Sequence, residues 1–261
     1  MALLDPSQYN PNRSLAAKVK RRLTQWRIAK PMTATPDRAI VSFTFDDFPK
    51  SAAQYGADAL AAIDATGTYY ACTGMLGRRN LTGDLFTAED LAALSQAGHE
   101  IGAHTDSHLD CAGSDTAAIR SEIACNLLTL ETLLGKRSSA SFAWPYGETH
   151  FEAKRNIADL VTTARGILPG INRAGSDLMQ LRAYELGPDN WTTARAAKAI
   201  EAAAKTPGWV IIFTHDVRQS PSPYGTTPCA LRRLTRLARD SGAQVLNVSE
   251  ALTTIKMQEP T

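Results

Sequence analysis

His104 and His108 stand four residues apart, a spacing that puts two imidazoles on one side of a helical turn where both can reach a single ion. Asp46 and Asp47 are adjacent carboxylates, and at a buried strand end such a pair repels itself unless a cation lies beside it. One of the two can bind that ion while the other takes a proton from a water whose pKa the ion brings to roughly 7. Two imidazoles and one carboxylate, with Asp47 as the candidate, leave a coordination position open, which is the catalytic and not the structural arrangement of zinc. His215 ends the apolar run 209–213 and lies far from these residues in sequence, so it is available to donate a proton to a leaving group. Asp216 beside it is either its partner or a loop cap. The run Trp144-Pro145-Tyr146-Gly147 demands a sharp turn, and such a turn can aim backbone N–H groups at a developing oxyanion. Taken singly each feature has a plainer reading: a surface Asp-Asp turn before Pro49, a histidine of the core, an ordinary aromatic-proline turn.

What argues against the plainer readings is where these residues fall among the predicted elements. Short β-branched runs at 39–45, 68–73, 100–103, 141–144, 179–185, 209–213 and 244–247 alternate with helix-patterned segments near 52–65, 88–97, 116–134, 151–160 and 192–204. Another helix opens at Thr227 with Pro228 in its first turn and closes at Gly242, and a short one starts at Ser249. Strand and helix in alternation predict a parallel sheet wrapped by helices, an α/β fold, and seven or so such units favour a closed or nearly closed barrel. Asp46 and Asp47 follow the first strand, the two histidines the third, Pro145 and Tyr146 the fourth, and His215 the most apolar one. In a barrel those ends share one face.

The 261 residues suit one compact domain from 39 to 261, preceded by an arm over 1–38. Overall charge is +2, yet residues 13–30 hold seven cations and no acid, with Leu15, Val19, Leu23 and Trp26 on one helical face. That stripe is expected to pack on the main domain, in preference to resting as a basic amphipathic helix on an anionic membrane. Nucleic-acid binding calls for a broader basic surface with a reading motif, and is not expected. The four cysteines lack paired spacing, which excludes a zinc ribbon and a disulfide framework. No secretory pattern or membrane-length apolar run is present in the sequence, and the expected location is cytoplasmic.

These residues resemble the motifs of the NodB-like polysaccharide deacetylases, metal-dependent carbohydrate esterases, over roughly 39–249. The resemblance implies a distorted (β/α)7-8 barrel. Thr44-Phe45-Asp46-Asp47 is similar to the first motif, implying Asp46 as general base and Asp47 as metal ligand. His104-Thr105-Asp106-Ser107-His108 matches the second, implying two further ligands for Zn2+ or another divalent ion such as Co2+ or Ni2+. The third motif, Arg-x-Pro-Tyr, keeps Pro145 and Tyr146 but has Ala143 where the arginine belongs, so Asp46 must be held by another group or activity is retuned. The Tyr146 N–H is implied as oxyanion donor, with Pro145 in the same substrate-binding turn. Pro188-Asp189-Asn190-Trp191 looks like a shifted fourth motif, in which Trp191 would wall the acetyl pocket and Asp189 would orient His215. Phe213-Thr214-His215 resembles the fifth and implies His215 as general acid. The implied reaction is removal of an N-acetyl group from an amino sugar of a glycan or a lipid-linked or nucleotide-linked precursor. Hydrolysis of another small amide or formamide, and non-catalytic carbohydrate binding, are the alternatives.

Overall fold

The computed structural model describes residues 23–137 and 140–258. Its centre is the pair of strands β1 (Ile40–Asp46) and β9 (Trp209–Thr214), both buried along their whole length. Strands covered on both faces read as continuous apolar runs, as 209–213 does. β2 (Thr68–Ala71) and β10 (Gln244–Val245) share the other edge of β1, β2 taking its upper half and β10 its lower. β5 (Glu100–Ala103), β6 (Ser141–Ala143) and β7 (Thr163–Arg165) continue beyond β2, and β8 (Tyr184–Glu185) flanks β9. Every pairing in this sheet is parallel. A two-stranded antiparallel ribbon, β3 (Arg79–Asn80) with β4 (Gly83–Asp84), stands apart from it.

The helices are α1 (Lys50–Ala61), α2 (Ala88–Gln96), α3 (Thr116–Leu134), α4 (Phe151–Asn156), α5 (Asn190–Lys205), α6 (Pro228–Asp240) and α7 (Val248–Lys256). Thr227 caps α6 by accepting from the Ala230 N–H, as its position before Pro228 predicts. Two apolar layers result. Val41, Phe43 and Phe45 point outward to the helices with Leu60, Leu91 and Leu231, while Ile40, Ile211, Phe142 and Trp144 fill the inner side.

The expected strand over 179–185 divides in two. The Leu181 N–H donates to Ala164 on β7, whereas Glu185 pairs with Phe213 on β9, so this one segment bridges the two ends of the curled sheet. The three-residue β7 carries too little pattern to be read from sequence, and α4 stops at Asn156, short of the expected 160.

The arm joins the barrel before residue 38. The Met32 N–H donates to Ser176 and the Lys30 carbonyl accepts from Leu178. Lys154, fully buried, gives its ammonium to the carbonyls of Thr24 (2.6 Å) and Arg27 (2.7 Å), to Asp177 (2.9 Å) and to Gln180 (3.1 Å). The expectation that the apolar stripe packs inward fails for its described members. Leu23 is 49% and Trp26 67% exposed, because the contact with the barrel is made by buried Thr24 and by backbone carbonyls instead. Leu15 and Val19 lie outside the described residues. Cys72 and Cys111 are buried free thiols, and Cys125 and Cys229 are exposed ones. No helix among the described residues is long and apolar enough to cross a membrane.

Candidate active site

Alternation along β1 would send Asp46 and Asp47 to opposite faces of the sheet. Asp46 lies on the inner side with Ser42 and Thr44, and the chain then turns at Asp47, whose φ is +40°. That turn returns the second carboxylate to the same cavity. Asp47, Thr105, His108 and Tyr146 are four of the five described non-glycine residues with positive φ, so this conformation is concentrated at one place. Each costs roughly 1–3 kcal/mol and persists only where the surroundings over-determine it.

Those surroundings are visible around the histidines. Asn126 of α3, fully buried, accepts from the His104 N–H (2.9 Å) and donates to the Ala71 carbonyl (3.0 Å) and Thr73 hydroxyl (2.8 Å). Glu122, one turn earlier, accepts from the backbone (2.8 Å) and hydroxyl (2.9 Å) of Ser107. The Gly74 N–H donates to the Asp106 carbonyl at 2.7 Å, an approach that a Cβ at Gly74 would block at 2.4 Å.

His104 Nδ1 donates to the Ala143 carbonyl at 2.7 Å, which leaves Nε2 with its lone pair facing the cavity. Asp47 Oδ2 lies 2.9 Å from His108 Nε2 and 3.9 Å from His104 Nε2. One donor atom from each of the three lies within 4.8 Å of the others, and all three residues are buried. Burial raises the Asp47 carboxyl, but His108 and His104 outweigh it and hold it at about 2. Burial lowers the His104 imidazole, favouring the neutral ring that a metal ligand must be. Asp47 Oδ1 has no hydrogen-bond partner among the described residues. Two imidazoles, one carboxylate and an unsatisfied buried oxygen fit a divalent cation of the zinc type.

Asp46 is held by a residue that sequence reading passed over. Arg165, 1% exposed, donates from its guanidinium to Asp46 Oδ2, donates to the Gly166 carbonyl (2.9 Å), and lies 4.8 Å from the Phe213 ring centroid. Arg165 is the register partner of Ala143 on the neighbouring strand. The guanidinium expected on β6 is therefore supplied from β7. Asp46 Oδ1 is buried without a hydrogen-bond partner among the described residues, free to receive a proton.

The cavity, about 350 Å3, is lined by both aspartates, both histidines, Tyr146, His215, Trp144, Phe213, Glu185 and Tyr224, among others. That volume sits at the small end of the roughly 300–1,000 Å3 of small-molecule sites. Tyr146 has a φ of +58° in the short helical turn Pro145–Gly147, and its ring meets that of His108 edge-on at 4.5 Å. Pro145 is the first residue of this turn and is absent from the cavity lining, contrary to its expected place in the substrate site.

Two sequence expectations are corrected here. Asp189 does not orient His215: its carboxylate caps α5, accepting from the Thr192 N–H at 2.7 Å, and that bond lowers its pKa. Trp191 does not wall the cavity, being 64% exposed with its ring under the Arg195 guanidinium at 4.5 Å. Asp216 proves to be a loop residue. Fully buried, it accepts from the Ser222 N–H (2.9 Å) and hydroxyl, and its carbonyl accepts from Thr226 (2.8 Å). It thereby fixes the loop that carries Tyr224 into the cavity wall.

Residues 33–163 match the family model described as polysaccharide deacetylase. Among solved structures the chain is similar to a candidate polysaccharide deacetylase from Mycobacterium smegmatis, at 16% identity over 89% of this chain and 97% of that one, with a TM-score of 0.62. It is similar to a family 4 carbohydrate esterase from Streptomyces lividans in complex with acetate, at 18% identity over 80% and 92% of the two chains, with a TM-score of 0.54. A CE4-family pseudoenzyme from Bacillus anthracis shares the fold at 15% identity over 83% and 66%, with a TM-score of 0.59. No curated protein sequence matches the chain.

Proposed function

Because the chain belongs to the polysaccharide deacetylase family, we propose that it hydrolyses the N-acetyl group of an amino sugar, in a glycan or a lipid-linked or nucleotide-linked precursor. The observation that carries this reading is the meeting of Asp47, His104 and His108 beside an Asp46 whose carboxylate is paired with Arg165 on one oxygen and unpaired on the other. Asp47, His104 and His108 would hold a divalent cation, zinc or alternatively cobalt or nickel, which when bound polarises water and the substrate carbonyl.

The chain's own residues supply the rest. Asp46 Oδ1 takes the proton from the attacking water as oxygen bonds to the acetamide carbon. The Tyr146 N–H, turned by its positive φ, faces the resulting oxyanion. His215 gives a proton to the nitrogen as the C–N bond breaks, and acetate and a free amine leave. Trp144, Phe213 and Tyr224 offer apolar faces against which a sugar ring and its methyl group can pack.

Acetate release from short N-acetylglucosamine oligomers tests the proposal. Chelation is expected to abolish it, zinc to restore it, and His108→Ala to lose both metal and turnover. Chelator-insensitive acetate release, or no divalent binding, overturns it. Turnover of small acetamides but not of sugars would favour the second reading, hydrolysis of another amide, which the Tyr224 loop closing one wall of a small cavity supports. A non-catalytic sugar-binding role is opposed by the retained base, acid and ligand candidates.

Residues 13–30 support a peripheral contact of this enzyme with anionic membrane: seven cations without an acid, ending in exposed Leu23, Trp26 and Ile28. Flotation with phosphatidylglycerol vesicles but not phosphatidylcholine vesicles is expected, and loss of the difference on Trp26→Ala would tie it to this face. Equal behaviour toward both lipids removes the contact from the proposal.

A further inference from the structure

We propose that the groove between the arm and the barrel is a second sugar subsite, in which Trp26 carries a distal ring of the same glycan whose N-acetyl group lies at the metal site. This rests on the reading of the chain as an amino-sugar deacetylase, and deepens it. Gln25, Trp26 and Ile28 of the arm line a cavity of about 430 Å3 together with Leu168, Gln180 and Arg182 of the barrel.

The arm is fastened on both sides of the indole. Lys154 holds the carbonyls of Thr24 (2.6 Å) and Arg27 (2.7 Å), the residues that flank Gln25 and Trp26. The Asp177 carboxylate accepts from the N–H groups of Ala29 (3.2 Å) and Lys30 (3.1 Å). Trp26 is thereby kept 67% exposed at a cavity wall instead of folding into the core. Apolar surface held in water and rimmed by polar groups marks a binding place.

The polar groups beside it have bonds to give. The Gln25 side chain makes no hydrogen bond among the described residues. Gln180 accepts from Lys154 through Oε1 (3.1 Å), and its NH2 has no partner among them. The Arg182 guanidinium donates only to the Pro169 carbonyl (3.3 Å) and pairs with no described carboxylate. Two amides and a planar cation around an aromatic ring suit a ligand that has an apolar face edged by hydroxyls, which is a sugar. The negative charge of Asp177 is met by Lys154, so Arg182 is the one unpaired cation of the described lining. That favours a neutral ring over a phosphorylated headgroup.

Continuity with the catalytic cavity names which sugar. Ile167 lines that cavity, and the next residue, Leu168, lines the groove. Gln180 packs against Gly166, where an added Cβ would come 3.3 Å from its Cγ. The groove therefore begins beside the end of β7, the strand whose Arg165 holds Asp46. A glycan leaving the metal site over Ile167 enters it directly.

Indole emission of the full chain without metal is the first readout, in a Trp191→Phe background because Trp144 and Trp209 are buried. The N-acetylglucosamine hexamer is expected to shift it saturably, the monomer to bind at least about tenfold more weakly, and Arg182→Ala to weaken the hexamer by about tenfold. In the zinc-loaded enzyme, Trp26→Ala is expected to raise KM for the hexamer about tenfold more than for the monomer, with kcat little changed. Equal KM changes for the two lengths would make the arm merely structural and overturn the proposal. No shift with the hexamer, or binding indifferent to Arg182→Ala, overturns it too. A shift with phosphatidylglycerol vesicles but not with the hexamer would give the indole to lipid, with the same consequence. Hexamer turnover that neither variant alters sinks the subsite alone. Arg182-dependent hexamer binding with no acetate released from any length sinks the deacetylase reading and leaves the subsite standing.

Discussion

Arg165 and Asp46 form an ion pair buried inside the barrel, and the residue in register with Arg165 on the adjoining strand is Ala143. Paired residues on parallel neighbours point to the same side, so a guanidinium can reach one carboxylate from either strand. Removing it leaves a buried charge without its partner, which costs about 3–5 kcal/mol. Arg165→Met is therefore expected to lower stability by that order and acetate release by about 10²-fold, the scale of a mispositioned base. Adding Ala143→Arg to Arg165→Ala should return part of both, read by urea denaturation and steady-state kinetics. No recovery would show that the pair depends on the β7 backbone and not on charge alone.

Gly147 has a φ of +67°, and a Cβ there would lie 2.3 Å from Ile167 Cγ1. Gly147→Ala should displace the turn bearing the Tyr146 N–H, cutting kcat by up to about 10²-fold while leaving zinc content unchanged. Normal kcat in this variant would remove the turn from the oxyanion site.

For Asp189 and Trp191 the expectation is small effects. Asp189→Ala loses a helix cap, worth about 1 kcal/mol, and Trp191→Ala uncovers one face of Arg195. Turnover is expected within about threefold of the parent for each, since neither lines the cavity. A loss of tenfold or more in either would return that residue to the site.

Lys154 is the anchor of the arm. Burial lowers its pKa against the pull of Asp177, yet four acceptors surround its ammonium. Lys154→Met removes the counter-charge of Asp177, whose carboxylate keeps the N–H groups of Ala29, Lys30 and Met179, and is expected to cost up to about 3 kcal/mol. Brief chymotrypsin treatment should then cut first at Leu23 or Trp26, with the barrel released whole. Simultaneous degradation of arm and barrel would show the two to be one cooperative unit.

Much of the site is written in local sequence because its donors belong to single loops that follow apolar strands. Asp46-Asp47 and His104-x-x-x-His108 state their ligand chemistry in a few residues, and the runs before them announce the strands that carry them. Asn126 was also legible in principle. Ile119, Ile123, Asn126 and Leu130 share the buried stripe of α3, and an amide among apolar residues on such a stripe signals a buried bond to be made. Arg165 gave no such signal, since β7 has three residues, too few for a period to be recognised.

By itself, then, the chain's pattern determined the parallel strand-helix order and the identity of the metal donors, because both depend on residues close together in sequence. Which arginine restrains Asp46 was decided by the curl of the sheet, and which way Trp26 faces by the contacts of the Thr24 and Arg27 carbonyls with Lys154. Strand register sets those neighbours across as many as 119 residues, from Asp46 to Arg165, and a hydrogen bond depends on distance in space and not along the chain.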